Sequence, residues 1–190
     1  MGGASARSGW ARTRRQLSVA SHSEDVWEYL RSHHVMCLAT VGSATTDEGA
    51  GSQVSAAPEA PAVPHVASLF YATDAEGRLI FLSMAASRHG HDLKSQSRAA
   101  VAVTEQYEDW REIKGVQLHG SVEVLRGVER LRGLATYLAR FPFVRELVRL
   151  PGKAGLLESA EVFRFVPSDA AFTDNSTGVF GREEWHIGSA

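Results

Sequence analysis

The stretch "FLSMAASRHGHDLKSQSRAAVAV", residues 81–103, places two hydroxyls, a guanidinium and an imidazole close together as Ser83, Ser87, Arg88 and His89. The apolar residues before them read as the end of a strand. Ser87 then stands where it can cap a short helix, "RHGHDLKSQS". A helix start presents unpaired backbone N–H groups and the positive end of the helix dipole. Arginine adds a bidentate donor suited to phosphate, and serine adds hydroxyls. The chemistry these residues suit is the holding of an anion. A capped helix with a solvated arginine accounts for the same residues, so composition alone leaves both readings open. A P-loop is excluded, because its glycines and its Gly-Lys-Ser/Thr ending are missing.

Other candidates are weaker. His89 and His91 sit two apart on a helix and point in different directions, and no second cluster at ligand spacing accompanies them, so no metal site is expected. The helix C-terminal dipole accounts for His33 and His34. Cys37, the only cysteine, lies in "VMCLATV" and reads as a buried structural thiol rather than a nucleophile. The run "TDN" at 173–175 reads as a turn with Asx bonding. No Ser–His–Asp set declares itself from linear order.

The elements that must position these groups follow from periodicity. Ser23 caps "EDVWEYLRSHH", with Val26, Trp27 and Leu30 on one face. "VMCLATVG" is a strand. Residues 43–63 are small, polar and proline-punctuated, a flexible loop or hairpin extension. "PHVASLFYAT" and "RLIFLS" are strands joined by the tight turn "DAEG". "AAVAVTEQY" is a fourth strand and "KGVQLHGSVEVL" a fifth. In the fifth, Val116, Leu118, Gly120, Val122 and Val124 alternate with Gln117, His119, Ser121 and Glu123. Helical spacing runs through Leu131, Leu134 and Leu138 until Pro142. "AEVFRFVP" is the last strand, followed by a polar and aromatic C-terminal segment. Five or six strands in mostly sequential hairpins, with helices at the edges, predict a mostly β (α+β) fold built on a small antiparallel barrel.

The 190 residues suit one domain with a real core, and 44% apolar residues exclude disorder throughout. A net charge of −2 gives no reason to expect nucleic acid or an acidic membrane as partner. No apolar run is long enough to span a bilayer, and the lone cysteine fits a reducing compartment such as the cytoplasm. Residues 1–22 are rich in Arg and Ser with no acid before Glu24. They read as a disordered basic leader outside the fold, organelle targeting being the other reading. As a nucleic-acid arm the leader lacks an aromatic platform beside it.

"IFLSMAASRHGHDLKSQSRAAVAV" resembles the strand–turn–helix of the pyridoxamine 5′-phosphate oxidase-like flavoproteins, the FMN-binding split barrels. In that turn the family commonly places a Thr, a few small residues and Ser-Arg-Lys or Ser-x-Lys. Here Ser83 takes the Thr position, Ser87 and Arg88 match, and His89 replaces the lysine. "HVASLFYATD" matches the strand whose backbone meets the flavin ring, and "GVQLHGSVEV" the next one, with its glycine at Gly120. The likeness covers roughly residues 23–185. With the ending "FTDNSTGVFG", it is similar to a little-characterised bacterial branch.

The resemblance implies a split β-barrel binding FMN non-covalently at the interface of a homodimer. The phosphate falls on Ser83, Ser87, Arg88 and His89, with Leu82 beside them. The ring lies along Val66, Ala67, Ser68 and Leu69, where small residues admit a flat ring. Gln117 is a flavin contact or a solvated glutamine, and it sits two residues from the family's usual place. The resemblance raises Phe172 to a ring contact and Asp174 and Asn175 to rim residues, with Gln117 and this C-terminal segment closing over the ring from the partner subunit, while Trp185 is either an aromatic wall or a frayed tail.

The departures matter equally. Where the oxidase holds its substrate phosphate with Tyr, Arg and Ser, this chain has Tyr137, Phe141 and Arg145, and the C-terminal Arg–His motif is absent. A phosphate is not buried without partners, so no pyridoxine-phosphate oxidase activity is expected. The implied function is flavin-dependent electron or hydride transfer to an unknown small molecule. The alternatives are a flavin-sensing module without turnover, or a barrel holding deazaflavin or haem.

Overall fold

The computed structural model describes residues 19–43, 62–153, 155–178 and 181–187. The expected leader up to residue 18, and the expected loop from 44 to 61, lie outside the described residues. Helix α1 (Val19–Ser32) leads into β1 (Val35–Ser43), β2 (Ala62–Thr73) and β3 (Leu79–Met84). Helix α2 (Arg88–Ser95) is followed by β4 (Arg98–Thr104), β5 (Lys114–Val124) and α3 (Gly127–Arg140). Two short helices, α4 (Phe143–Leu147) and α5 (Leu156–Ser159), precede β6 (Ala160–Asp174) and β7 (Arg182–His186).

All pairings are antiparallel, in the order β3-β2-β1-β4-β5-β6-β7, and β3 also pairs with β6. That second pairing closes six strands into a barrel. Strand β6 does the closing: its first half bonds β3 and its second half bonds β7, while β5 runs along its other edge. The register slips between His119 and Gly120 opposite Pro167. A bulge is where a strand tolerates a proline, which has no N–H to give the ladder.

Period-two patterning decides the interior. Met36, Leu38, Tyr71, Leu79, Phe81, Val101, Val103, Val116, Leu118, Phe163 and Phe165 fill the barrel, and Val26 and Leu30 of α1 pack onto them. Phe81 and Phe163 stack at 5.0 Å. A second cluster of Ala72, Ile80, Leu125, Tyr137, Phe141, Val144 and Val162 lies under α3 and α4.

Four expectations are corrected. Helix α1 begins at Val19, so Ser23 lies inside it rather than at its cap; nothing in "VASH" breaks a helix. Leu131 is exposed, whereas Leu134 and Leu138 pack against the cluster in which α3 buries Tyr137, beside the buried Gly133. At Gly133 a Cβ would stand 2.7 Å from Leu125 Cδ1 and 3.2 Å from Val162 Cγ1, so the helix comes closest to the sheet where there is no side chain. Cys37 is exposed, because its strand neighbours Met36 and Leu38 take the inner face. Finally, β6 runs past Pro167 to Asp174, and "REEWH" forms a seventh strand. An edge strand with one half-buried side chain carries no alternating apolar signal.

Candidate functional site

Ser83 is on the inner face of β3, two residues beyond buried Phe81. Ser87 caps α2, its Oγ accepting from the Gly90 N–H at 3.1 Å. These two elements meet at His89. Its Nε2 lies 2.6 Å from Ser83 Oγ and 3.1 Å from Ser87 Oγ, and the two hydroxyls are 3.2 Å apart. His89 is only 7% exposed. His65 of β2 stacks parallel to it with ring centres 6.3 Å apart. Burial first, and His65 second, hold the His89 pKa below the ordinary histidine value, against the opposing pull of Asp92. At neutral pH the imidazole is therefore uncharged, while the neighbouring Arg88 carries the positive charge of this turn.

Arg88 donates from Nε to Asp92 Oδ1 at 3.2 Å. Asp92 is itself 4% exposed and takes a second bond, 2.8 Å, from the Thr40 hydroxyl on β1. Thr40 pairs with His65 across β1 and β2, so the polar end of the barrel interior and the start of α2 form one connected cluster. Sequence reasoning missed Thr40, His65 and Asp92. Only the i, i+4 spacing of Arg88 and Asp92 was legible.

The structure thus brings Ser83, Ser87, Arg88 and His89 to one turn. The remaining expected residues scatter around the barrel. Val66 and Ser68 point outward and are exposed, while Ala67 and Leu69 point inward. Leu82 faces away from Ser83 and packs into the cluster under α3. Gln117 is on the outer face, accepting from Arg182 Nη1 at 2.7 Å. It shares a cross-strand row with Ala102, Cys37 and Ser68. Three strand spacings put Gln117 about 14 Å from Ser68 within one chain.

Phe172 is half-buried against the barrel core, edge-on to Tyr29 at 5.7 Å. Asp174 Oδ1 accepts from the Ser176 N–H at 2.9 Å and its Oδ2 pairs with Lys114 at 3.1 Å. That is the Asx turn read from "TDN". The side-chain amide of Asn175 donates to the Trp110 carbonyl at 2.8 Å. Asp174 ends β6 and Asn175 follows it, whereas Ser83 pairs with Glu161 at the strand's start, a path of about 40 Å. Trp185 is a strand residue packed on the core rather than a frayed tail.

The late-helix residues also have structural occupations. Tyr137 is buried, and desolvation pushes its pKa up to about 12. Arg140 donates to the Arg31 and His33 carbonyls at 2.7 and 3.4 Å, closing the end of α1. Among the described residues no group of three or more His, Cys, Asp or Glu is placed to hold a metal, and no helix is long and apolar enough to cross a membrane.

Comparison with known proteins places these features in a family context. The family model described as pyridoxamine 5′-phosphate oxidase matches residues 23–166. A UPF0306 protein of Klebsiella pneumoniae is 31% identical over 120 residues, covering 63% of this chain and 74% of that protein. A haem-binding protein from Mycobacterium smegmatis superposes with a TM-score of 0.62 at 18% identity over 87% of this chain. This chain spans only 58% of that one. A FAD-binding protein from Mesorhizobium loti superposes with a TM-score of 0.54 at 19% identity, covering 83% of this chain and 95% of its own. At such identities the structural likenesses establish the split-barrel fold.

Proposed function

We propose that this chain, which belongs to the pyridoxamine 5′-phosphate oxidase family, binds FMN non-covalently and serves as an oxidoreductase acting on a small molecule. The observation that carries the reading is the convergence of Ser83, Ser87 and His89 within 3.2 Å of one another beside Arg88. Two hydroxyls, an imidazole and a guanidinium at a helix start suit a phosphate monoester. Bound flavin would supply reversible electron or hydride transfer. The chain's own part is to grip the phosphate and to offer Val66 and Ser68 on an open strand face to the ring.

The same reading makes the protein a homodimer. Val35, Val41, Val66 and Phe70 are exposed on the outer face of β1 and β2, interleaved with Cys37 and Ala39. A second copy on this face would bury them and bring its Gln117 toward the first copy's Ser68, which one chain cannot do. Sedimentation is expected to give about twice the 20.6 kDa chain mass, and Val66→Glu to give the monomer. A wild-type monomer would overturn this assembly.

The buried Tyr137, and the bonds that hold Arg140, the arginine next to the Phe141 position, to the end of α1, support the absence of pyridoxine-phosphate oxidase activity. The test of the cofactor is an absorption and fluorescence titration of the purified protein with FMN, riboflavin and haemin. FMN bound more tightly than riboflavin supports the reading, and haemin bound in place of FMN replaces it. Haem has one observation of its own: His186 is held by Asp169 at 2.9 Å through Nδ1, a carboxylate–histidine pair of the kind that orients metal-ligating imidazoles. Reduction of bound flavin by NADH or NADPH and its reoxidation by an acceptor separates an enzyme from a sensing module.

A pH dependence follows from His89. Its pKa is lowered in the ligand-free protein, and a phosphate dianion at Nε2 favours the imidazolium, so binding takes up a proton. FMN affinity is expected to rise as pH falls through neutrality, by at most about tenfold per unit. Below about pH 6 protonation of the phosphate itself opposes further gain. In His89→Lys the charge is permanent and the profile over that window should flatten. An unchanged slope in the lysine variant would remove His89 from the phosphate site.

A further inference from the structure

We propose that Asp92 is the positioning residue of the phosphate site: anchored by Thr40, its carboxylate fixes the Arg88 guanidinium and so sets the preference for a phosphorylated over a dephosphorylated ligand. This rests on the flavin reading above.

A carboxylate buried to 4% exposure is costly unless both oxygens are satisfied, and here each has its own partner. Oδ2 accepts from Thr40 Oγ1 at 2.8 Å, and Oδ1 accepts from Arg88 Nε at 3.2 Å. The two partners come from different elements, β1 and α2. The backbone of Asp92 is held as well, its carbonyl accepting from Ser95 Oγ at 2.8 Å and the Gln96 N–H at 2.9 Å.

The barrel leaves room for this group deliberately placed inside it. A Cβ on Gly42 would collide with the Asp92 carboxylate, so the adjacent β1 position has to be glycine for the carboxylate to sit where it does. A contact at Nε fixes the plane of a guanidinium and therefore the direction of its other donors. Arg88 is 40% exposed at its side chain, and a long side chain at that exposure has rotamer freedom to lose on binding. The Asp92 contact at Nε narrows that freedom before the ligand arrives, which raises affinity by cutting the ordering cost.

Merely knitting α2 to β1 would need the Thr40 bond alone. The Arg88 contact is what ties the carboxylate to the ligand. The two roles separate when FMN and riboflavin are compared, since they share the ring and differ in the phosphate. Dissociation constants for both are measured by flavin fluorescence on wild type, Asp92→Asn and Thr40→Val, with melting curves for each.

Asp92→Asn is expected to weaken FMN about tenfold and riboflavin less than twofold. Thr40→Val keeps the charge and loses the anchor, so about a threefold loss confined to FMN is expected. Thr40→Val also carries the test if Asp92→Asn fails to fold. Equal losses for both flavins, or none for either in a folded variant, would overturn the positioning role. A wild type that binds neither flavin overturns the cofactor reading instead, which keeps the two failures distinct.

Discussion

Arg88→Ala is expected to weaken FMN binding by about 10²-fold while leaving riboflavin nearly unaffected. A hydrogen bond to a charged group contributes about 1.5–3 kcal/mol, and the upper part of that range is about 10² in affinity. The guanidinium is the charged donor of a turn whose imidazole is neutral before the ligand arrives, so its loss removes most of the attraction for a dianion. The substitution also strands Asp92, a carboxylate at 4% exposure left with Thr40 alone. Because Arg88 is partly solvated, that cost falls between the exposed and buried limits for an ion pair, about 2 kcal/mol of stability. Fluorescence titration with both flavins and a thermal melt read the two effects separately. FMN affinity at the wild-type level in a folded Arg88→Ala protein would place the phosphate elsewhere. Arg88→Lys should fall between, since it keeps the charge without the planar fork.

The second large effect lies away from the ligand. Gly120→Ala is expected to cost about 3 kcal/mol, lowering the melting temperature by about 9 °C. The alanine Cβ would collide with the Val166 carbonyl oxygen and stand 2.9 Å from Phe165 Cζ and 3.0 Å from Pro167 Cα. Two of those neighbours are backbone atoms of β6 at the register slip, so relief requires moving the strand that closes the barrel. Gly155→Ala is the control: a Cβ there meets nothing within 4 Å, its φ is −81°, and it should stay within about 0.5 kcal/mol of wild type. Equal melting of the Gly120 and Gly155 variants would show that the bulge yields freely.

Gly120 also shows how far the resemblance reached. It was recognisable as a family glycine, but nothing local says why a glycine is needed, because the crowding atoms belong to a strand more than forty residues later. Asp92 is a similar case. Its spacing from Arg88 was visible, whereas its burial and its bond to Thr40 depend on α2 packing against β1. Val66 and Phe172 differ from each other for a simpler reason: a strand residue's use depends on which face the sheet turns to solvent.

By itself the sequence determined what is local. It specified β1 through β5, the first four as short apolar runs and the fifth by its alternation, the Asp74–Gly77 turn with Gly77 at φ 76°, and the cap by which Ser87 opens α2. It also specified the set Ser83, Ser87, Arg88 and His89, since a hydroxyl, a cap and a first helical turn are neighbours in any fold that contains them. Only the tertiary structure decided that β6 pairs with both β3 and β7, that Cys37 faces outward, and that Gln117 stands about 14 Å from Ser68. Those are pairings between distant segments. Their free energy comes from the shared burial of one barrel interior, which no short stretch of chain contains.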